Sequence, residues 1–418
     1  MPESSARMIS FPLGGISQIA STRNQRLQQT RSALNVIDRD TIGRQIRGGS
    51  RPGTTKFLAQ QFMDQFNMPA EIQAVGQVVT VSTRPPTPPV PDLVYFLSGA
   101  FYTSGVETYI QPVYRYAPIA NAYSLYGTNI PTPSASGNGF RVGSDIWIID
   151  GRPNSALSFP NLRPAFRNQK FSITTGTWST GANDTVASNP YMCSATFAVG
   201  VEGYRAGGYF NTGTSQGATR SVSVYDTPNN TWTAATQLPT SLSGSSSTSS
   251  RTNYNLGWTD GTDGYYYQNR FTTTDTRVGK YTVSTDSWTP GLSVPSSFFT
   301  NQAGRANKVG FNRGTTGAIM SHGFFTTESR SATFEYIFST NSYTKHLDTG
   351  PDESGGVGAG SAISGVVIRG RDSTSQNDTI GNLDLYDYGG NTWSAGAEVP
   401  AAARRGECVA IAVPGVSS

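Results

Sequence analysis

The residue types that most often carry chemistry are sparse in this sequence. It contains two histidines, His322 and His346, and two cysteines, Cys193 and Cys408. Their spacing matches no zinc motif, and two distant cysteines do not form a disulfide framework. We interpret the histidines as structural or surface residues and the cysteines as small buried hydrophobes. The sequence therefore predicts no metal site and no cofactor.

The acidic residues form no recognisable catalytic pattern. Asp260–Gly264 (DGTDG) places oxygen ligands at the short spacing that calcium uses, but it falls where a hairpin is expected, and we interpret it as a plain turn. Ser284–Trp288 (STDSW) has the Ser, Asp and Trp of a sialidase-type box without its Gly. The chain also lacks the patterns HExxH, GxSxG and a P-loop. We expect no catalytic residue and no enzyme, and an oxidase or glycosidase is the least favoured class.

Composition indicates which elements must position any site. Only 14% of the residues are charged, against about 25% in an average soluble domain. The chain has 46 Gly, 24 Pro, 20 Tyr and 20 Phe, a mixture that favours short strands separated by turns. These numbers predict an all-β fold. No apolar run approaches the length of about 18 residues that a membrane helix needs, and the first residues lack a signal-peptide core, so we expect a soluble protein not exported by that route.

A pair of aromatic residues seven positions apart recurs six times after residue 91. The pairs are Tyr116 and Tyr123, Phe171 and Trp178, Tyr225 and Trp232, Tyr281 and Trp288, Tyr336 and Tyr343, and Tyr386 and Trp393. The second members follow one another at steps of 55, 54, 56, 55 and 50 residues. A period near 50 in a strand-rich chain is typical of propeller blades. Turn residues lie between the two members of each pair, so we expect each pair to straddle a hairpin, with one member packed between blades.

These repeats resemble kelch repeats, in which a Gly pair, a Tyr and a Trp occupy equivalent places. The fit is partial, because Gly207-Gly208 is the only clear Gly pair at the kelch position. The resemblance implies a six-bladed β-propeller over residues 92–418. The first copy begins at Leu93–Phe101 without a first strand, and residues 404–413 form one isolated strand pattern. We expect this C-terminal strand to complete the first blade and close the ring.

The positive charge belongs to the N-terminal part of the chain. Residues 1–91 carry 10 basic and 5 acidic residues, whereas the remaining 327 residues carry 21 and 22. A proline-rich stretch, residues 83–91, separates the two parts. We interpret residues 1–91 as an extended assembly or docking segment with an acidic partner, although a plain solvated tail would have the same charge.

The N-terminal segment also carries a family resemblance. Its pattern is a GGISQ start, an Asn in a short apolar strand, and a Gly-Gly followed by RPGT. This resembles the opening of the tail nozzle proteins of short-tailed bacteriophages, also called tubular tail protein B, which likewise carry a β-propeller. The sequence departs from the family pattern at two places. Ser50 stands where the family has one of two adjacent arginines before Pro-Gly-Thr, and the family's Gln-Gln-Pro after the Ser is reduced to Gln18. The residues expected to serve assembly or binding are Gly14, Gly15, Gln18, Asn35, Arg44, Arg47, Arg51, Pro52 and Gly53.

The resemblance implies a structural virion protein, made in the host cytoplasm and located in the phage tail. It would be a nozzle or hub subunit, forming a hexameric ring below the portal and adaptor through which phage DNA passes. Its expected partners are the tail adaptor protein and a tail fibre or spike, without membrane insertion. The arginines could instead form salt bridges between subunits. The alternative function is a virion-anchored propeller that recognises a host glycan or a partner protein through its loops.

Overall fold

The computed structural model divides the chain into two compact units, Met1–Pro88 together with Ser418, and Pro89–Ser417. The residues that it describes are 62–63, 69–70, 92–103, 106–153, 165–212, 215–242, 255–268, 277–298, 309–321, 324–325, 328–329, 332–348, 356–361, 364–370, 381–404 and 408–414. In the first unit these comprise an antiparallel pair of two-residue strands, Phe62–Met63 and Pro69–Ala70.

The second unit consists of six four-stranded antiparallel sheets, the blades of a β-propeller. Strands 1 to 4 of each blade are numbered in order across its sheet. Blade 1 contains Val409–Val413, Leu93–Leu97, Tyr114–Ala117 and Ala122–Leu125; blade 2 contains Asn138–Val142, Asp145–Ile149, Asn168–Ser172 and Thr177–Thr180. Blade 3 contains Ala195–Val199, Glu202–Ala206, Val222–Asp226 and Thr231–Ala235; blade 4 contains Leu256–Thr259, Gly264–Tyr267, Arg277–Thr282 and Ser287–Ser293. Blade 5 contains Val309–Arg313, Gly317–Ser321, Phe334–Ile337 and Ser342–Lys345; blade 6 contains Val357–Gly360, Ser364–Ile368, Leu383–Asp387 and Thr392–Ala395.

Short accessory elements decorate the blades. Two-stranded pairs are formed by Ala100–Thr103 with Val106–Tyr109, Ser134–Ala135 with Arg152–Pro153, Tyr209–Asn211 with Gln216–Ala218, and Phe324–Phe325 with Glu328–Ser329. The helical elements in the described ranges are 3₁₀ turns at Val283–Thr285, Ser296–Phe298 and Ala401–Ala403. Among the described residues, a search for helices long and apolar enough to cross a membrane found none.

The burial of each strand follows its place in the blade. Second strands such as Asp145–Ile149 and Ser364–Ile368 are buried along nearly their whole length, which explains their continuous apolar runs. Fourth strands such as Thr177–Thr180 and Thr392–Ala395 are largely exposed. Because a sheet with two covered faces needs neighbours on both sides, the hydrophobic core is distributed between the blades.

The predicted closure of the ring is confirmed. Val409–Val413 pairs antiparallel with Leu93–Leu97, so that Leu93 lies opposite Val413 and Leu97 opposite Val409. First strands contact one another around the whole ring, from blade 1 to blade 6 and back to blade 1. The chain is therefore a six-bladed all-β propeller whose first blade is completed by the last strand.

Glycines at the start of three second strands allow neighbouring blades to approach closely. A Cβ atom added to Gly203, Gly264 or Gly365 would lie 2.0 to 2.1 Å from a ring carbon of Phe140, Phe197 or Phe311, respectively. Each phenylalanine comes from the first strand of the preceding blade. Any larger residue would have to displace a buried aromatic ring from a closely packed interface.

We predict that deleting residues 402–418 abolishes cooperative folding. The deletion removes a complete strand of blade 1 and exposes the hydrogen-bonding edge of Leu93–Leu97, an edge that promotes aggregation. The matched control deletes only residues 415–418, which lie beyond the last described strand. Thermal unfolding followed by circular dichroism distinguishes the two variants, and a cooperative transition in the longer deletion at the wild-type temperature would contradict the role of the strand.

Candidate functional site

The six predicted aromatic pairs lie at the same place in every blade. In each blade the two members are directly opposite each other on strands 3 and 4. Their ring centroids are 4.8–5.1 Å apart. The first member is fully buried or nearly so in all six pairs. A spacing of seven residues thus corresponds to a direct cross-strand pair with a short turn between its members.

A tyrosine hydroxyl in five blades donates a hydrogen bond to a residue five positions further on. The pairs are Tyr116 with Asn121, Tyr225 with Asn230, Tyr281 with Asp286, Tyr336 with Asn341, and Tyr386 with Asn391. The five acceptor residues have φ between 46° and 55°. Asn and Asp tolerate this left-handed conformation better than most residues. The turn residue therefore shapes the hairpin and also satisfies a hydroxyl that would otherwise be buried without a partner.

The same hairpin binds the preceding blade. Asn230 Oδ1 accepts the backbone N–H of Ala182 at 2.6 Å, and the indole Nε1 of Trp232 donates to the carbonyl oxygen of Ala182 at 2.8 Å. Asp286 and Trp288 bind Thr236 in the same way, both at 2.8 Å. We call this arrangement the inter-blade clamp. It consists of the Tyr, the Asn or Asp, and the Trp or Tyr of one hairpin around one residue that lies near the end of strand 4 of the previous blade or just after it.

The clamp also operates elsewhere around the ring. Asn341 accepts the backbone N–H of Leu292 at 3.3 Å, and Tyr343 donates to its carbonyl oxygen at 2.9 Å. Asn121 of blade 1 accepts the backbone N–H of Ala397, at 2.6 Å. Because Ala397 belongs to blade 6, this contact adds a second closure of the ring beside the strand pairing.

Blade 2 achieves the same connection with different residues. Phe171 has no hydroxyl, and the turn position is Gly176, whose φ is 68°. In this blade the backbone carbonyl of Gly176 accepts the N–H of Thr128 at 2.8 Å, while Trp178 donates to the carbonyl oxygen of Thr128 at 3.0 Å. Blade 2 therefore lacks both the tyrosine hydroxyl and the side chain that would accept its hydrogen bond.

The topology gives the propeller two different faces. Connections between strands 1 and 2 and between strands 3 and 4 are short turns, and they share one face, which we call the turn face. The longer connections, between strands 2 and 3 and from blade to blade, share the opposite loop face. Strand 2 of blade 1 starts at Leu93 and the last strand ends at Val413, and both of these ends lie on the turn face. The chain therefore enters and leaves the propeller on the face opposite its long loops.

A central cavity of about 670 Å³ runs between the first strands of all six blades. Its described lining is almost entirely uncharged, and Arg141 is the one charged residue in it. The Nε of Arg141 donates to the carbonyl oxygen of Gly143 near the turn face at 2.8 Å. The loop-face end of the described lining is therefore polar but neutral.

A buried ion cluster joins blades 2 and 3 near the loop face. Arg205 is completely buried, and its guanidinium contacts Asp150 Oδ2 and Asp184 Oδ2, both at 2.7 Å. It also donates to Ser223 Oγ at 2.9 Å and lies 4.4 Å from the ring centre of Tyr191. Burial, only partly offset by Arg205, raises the pKa of Asp150 to about 6. We call these five residues the Arg205 cluster.

A second charged group lies in blade 5. Glu335 accepts hydrogen bonds from Arg313 at 3.2 and 3.0 Å, and His346 Nε2 lies 3.0 Å from Glu335 Oε2. Burial opposes ionisation of Glu335, but the bond to His346 and the charge of Arg313 outweigh it and lower the pKa. These groups form an ion-paired structural unit. A search of the described residues for groups of three or more His, Cys, Asp or Glu able to hold a metal found none.

The other residues singled out in the sequence have clear positions. Asp260 and Asp263 lie in the turn between the first two strands of blade 4, where Asp260 Oδ1 accepts the backbone N–H groups of Thr262 and Asp263. The DGTDG segment is therefore a hydrogen-bonded turn. Cys193 and Cys408 are both buried thiols. His322 lies outside the described residues, and so do all the N-terminal positions expected to serve assembly: Gly14, Gly15, Gln18, Asn35, Arg44, Arg47, Arg51, Pro52 and Gly53.

Sequence reasoning missed two features of this architecture. An Asn or Asp five positions after the first aromatic was visible in five repeats, and it was a signal for the clamp. The Arg205 cluster had no such signal, because Asp150, Asp184 and Arg205 are separated in the chain and have no equivalents in other blades.

We predict that the clamp of blade 3 contributes measurably to stability. Tyr225→Phe removes one buried hydrogen bond and should cost about 1 kcal/mol. Asn230→Ala removes the acceptor for Tyr225 and Ala182 and puts at φ 55° a residue that tolerates the left-handed conformation less well than Asn, so it should cost about 2–4 kcal/mol. Asn230→Gly relieves the backbone strain and should cost about 1 kcal/mol less than Asn230→Ala. The double variant Tyr225→Phe/Asn230→Gly copies blade 2 and should lose less than the sum of its single changes.

Urea unfolding of the full chain measures these differences. A wild-type midpoint for Asn230→Ala would contradict the clamp. Equal losses for Asn230→Ala and Asn230→Gly would show that positive φ makes no contribution at this position.

For the Arg205 cluster we predict an asymmetric response to substitution. Arg205→Met leaves two buried carboxylates without their cation and should destabilise the fold by about 3–5 kcal/mol. Asp150→Asn keeps the contact between Arg205 and Asp184 and should cost much less. Because the folded state holds the Asp150 proton up to about pH 6, wild-type stability should fall as pH rises from about 4 to about 6. The Asp150→Asn variant should show a flatter profile, and an unchanged profile would contradict the buried titration.

Comparisons with known proteins provide no family for this chain. No family model matches the sequence, and no curated protein matches it. Solved structures do match, and one of them is the structure of YjhT. It is 14% identical, the alignment covers 64% of this chain and 85% of that chain, and the TM-score is 0.48.

Proposed function

We propose that the protein is a structural component of a phage tail, a nozzle or hub subunit that carries a six-bladed propeller on an N-terminal assembly segment. Its expected partners are copies of itself, a tail adaptor and a fibre or spike. Phage DNA would pass along the ring axis without being bound tightly, and no catalytic reaction is part of the proposal.

The observation that carries the proposal is the position of the two ends of the propeller. Leu93 and Val413 both lie on the turn face, so the start of the second strand and the end of the first strand of blade 1 share one face of the propeller. A propeller closed by strand pairing and by inter-blade clamps is a rigid unit suited to a mechanical assembly.

The N-terminal sequence supplies the second support. The GGISQ and RPGT patterns resemble those of nozzle proteins, and the segment has an excess of five positive charges, whereas the remaining residues have a net charge of −1. Arginine binds carboxylates and phosphates through two parallel hydrogen bonds. Arg44, Arg47 and Arg51 are therefore suited to contacts between subunits or with the adaptor. Multiple phosphate contacts would slow DNA passage, which agrees with a nearly neutral propeller.

We predict that the full-length protein forms rings of six subunits, alone or with the adaptor of the same particle. Negative-stain images and mass photometry provide the readout. The variant Arg44→Gln/Arg47→Gln/Arg51→Gln should remain folded but should not form rings. The control Lys170→Gln/Lys280→Gln/Lys345→Gln removes the same number of positive charges from surface ion pairs of the blades, which contribute little to stability, and should assemble normally.

Three results would count against the proposal. Monomers of the wild-type protein in the presence of the adaptor would contradict a ring-forming subunit. Normal rings from the arginine variant would remove those residues from the assembly contacts. Antibody labelling of intact particles away from the tail axis would contradict the proposed location.

A further inference from the structure

The residue just before the first aromatic of strand 3 is a cation in three blades: Arg115 in blade 1, Lys170 in blade 2 and Lys280 in blade 4. Each lysine has a carboxylate partner in its own blade. Lys170 Nζ lies 3.1 Å from Asp145 Oδ2, and Lys280 Nζ lies 2.8 Å from Asp263 Oδ2. In both blades the carboxylate stands at or just before the start of strand 2, two positions before the residue opposite the lysine. The repeat therefore contains an ion pair at this place.

Blade 1 keeps the cation of this pair but lacks the carboxylate. Arg115 lies opposite Tyr95, so the position that is acidic in blades 2 and 4 is occupied here by Leu93. Arg115 Nε donates to Ser124 Oγ at 2.9 Å, and its guanidinium carbon lies 4.4 Å from the ring centre of Tyr126. The described ranges of the chain supply no acidic partner for Arg115. Its charge is thus positioned by neutral groups alone.

A second cation faces the same junction from blade 2. Arg141 lies opposite Ile146, which packs with Tyr95 between blades 1 and 2. Burial raises the pKa of Tyr95, and the guanidiniums of Arg115 and Arg141 both act against that rise. The two cations therefore lie near one hydroxyl. Arg141 Nε donates to the carbonyl oxygen of Gly143 at 2.8 Å, and within the described residues Arg141 is not paired with a carboxylate either.

The class of the missing group follows from this arrangement. Arg115 and Arg141 are both half-buried, where a charge without a counter-charge is less well solvated than on an open surface. Guanidinium groups bind carboxylates through strong charge-assisted hydrogen bonds. A carboxylate is also the group that the equivalent positions of blades 2 and 4 place beside their lysines. Leu93 and Gly143 both lie on the turn face, so the junction opens on that face.

We propose that Arg115 and Arg141 form a carboxylate-binding site on the turn face, at the junction of blades 1 and 2. The carboxylate belongs to a small molecule or to an acidic side chain of another protein. It takes the place that Asp145 and Asp263 have beside their lysines. The inference depends on the propeller alone and holds whether or not the protein is a tail subunit.

The experiment is a chemical footprint of the arginines in the full-length protein. Phenylglyoxal modifies guanidinium groups, and mass spectrometry of the digested protein gives the modification rate at each arginine separately. The probes are glutarate, the peptide acetyl-Gly-Glu-Gly-amide and inorganic phosphate, all at one ionic strength. A saturating carboxylate should slow modification of Arg115 and Arg141 by about tenfold, the effect of one charge-assisted hydrogen bond. Arg369, which is already paired with Asp384, should react at an unchanged rate.

A pair of substitutions at Leu93 provides the matched test. Leu93→Asp supplies the carboxylate that blades 2 and 4 have, so Arg115 should be slowed by about tenfold without any probe, and glutarate should add little. Leu93→Asn has the same size without the charge, and its arginines should react and be protected as in wild type. Thermal unfolding confirms that both variants are folded. If the Leu93 variants do not fold, Arg141→Gln serves instead, and it should raise the glutarate concentration that half-protects Arg115 by about tenfold.

The two carboxylate probes distinguish the sources. Half-protection at a lower concentration of the peptide than of glutarate indicates an acidic side chain of a protein, and the reverse order indicates a small molecule. Three results would overturn the proposal. These are reaction of Arg115 and Arg141 at the same rate with and without both carboxylates, protection by phosphate alone, and equal behaviour of Leu93→Asp and Leu93→Asn.

Discussion

The propeller depends on the contact by which the hairpins between strands 3 and 4 in blades 2 to 5 bind one peptide unit of the blade before them, and by which the hairpin of blade 1 binds one backbone N–H of blade 6. Trp232 and Asn230 hold the carbonyl and the N–H of Ala182, and equivalent side chains hold Thr236 and Leu292. The held residue lies near the end of strand 4, as Leu292 does, or just after it, and strand 4 is the outermost strand of its blade. Without the clamp, its backbone groups would have to find other partners at the rim of the ring. The aromatic repeat is therefore a hydrogen-bonding device as well as a hydrophobic one.

The clamp also explains why the repeat tolerates variation. Blade 2 replaces Tyr and Asn by Phe171 and Gly176 together, and the peptide unit of Thr128 is still bound. Tyr343 replaces the tryptophan of other blades, and its hydroxyl reaches the carbonyl oxygen of Leu292 as an indole N–H would. What recurs from blade to blade is a hydrogen-bond donor and an acceptor at defined places. This explains why the sequence pattern is partial while the geometry is regular.

Much of the fold was predictable because it is periodic. The spacing of seven between Tyr225 and Trp232, repeated in each copy, predicted the number of blades, and the isolated strand near Val409 predicted the closure. The Arg205 cluster was not predictable, because it is formed once by residues from different blades. Asp150, Asp184 and Arg205 meet only when blades 2 and 3 pack together, and no local pattern encodes that meeting. Periodicity thus predicts the scaffold, whereas the Arg205 cluster is a departure from it.

Hydrogen exchange at the clamped amides tests the central claim most directly. The N–H groups of Ala182, Thr236 and Ala397 lie in connections between blades, where exchange is normally fast. If the clamps hold the ring together, these amides should exchange as slowly as those of the buried second strands, such as Ile148, and only through global unfolding. Exchange at these amides as fast as in an exposed loop, while Ile148 stays protected, would contradict the account.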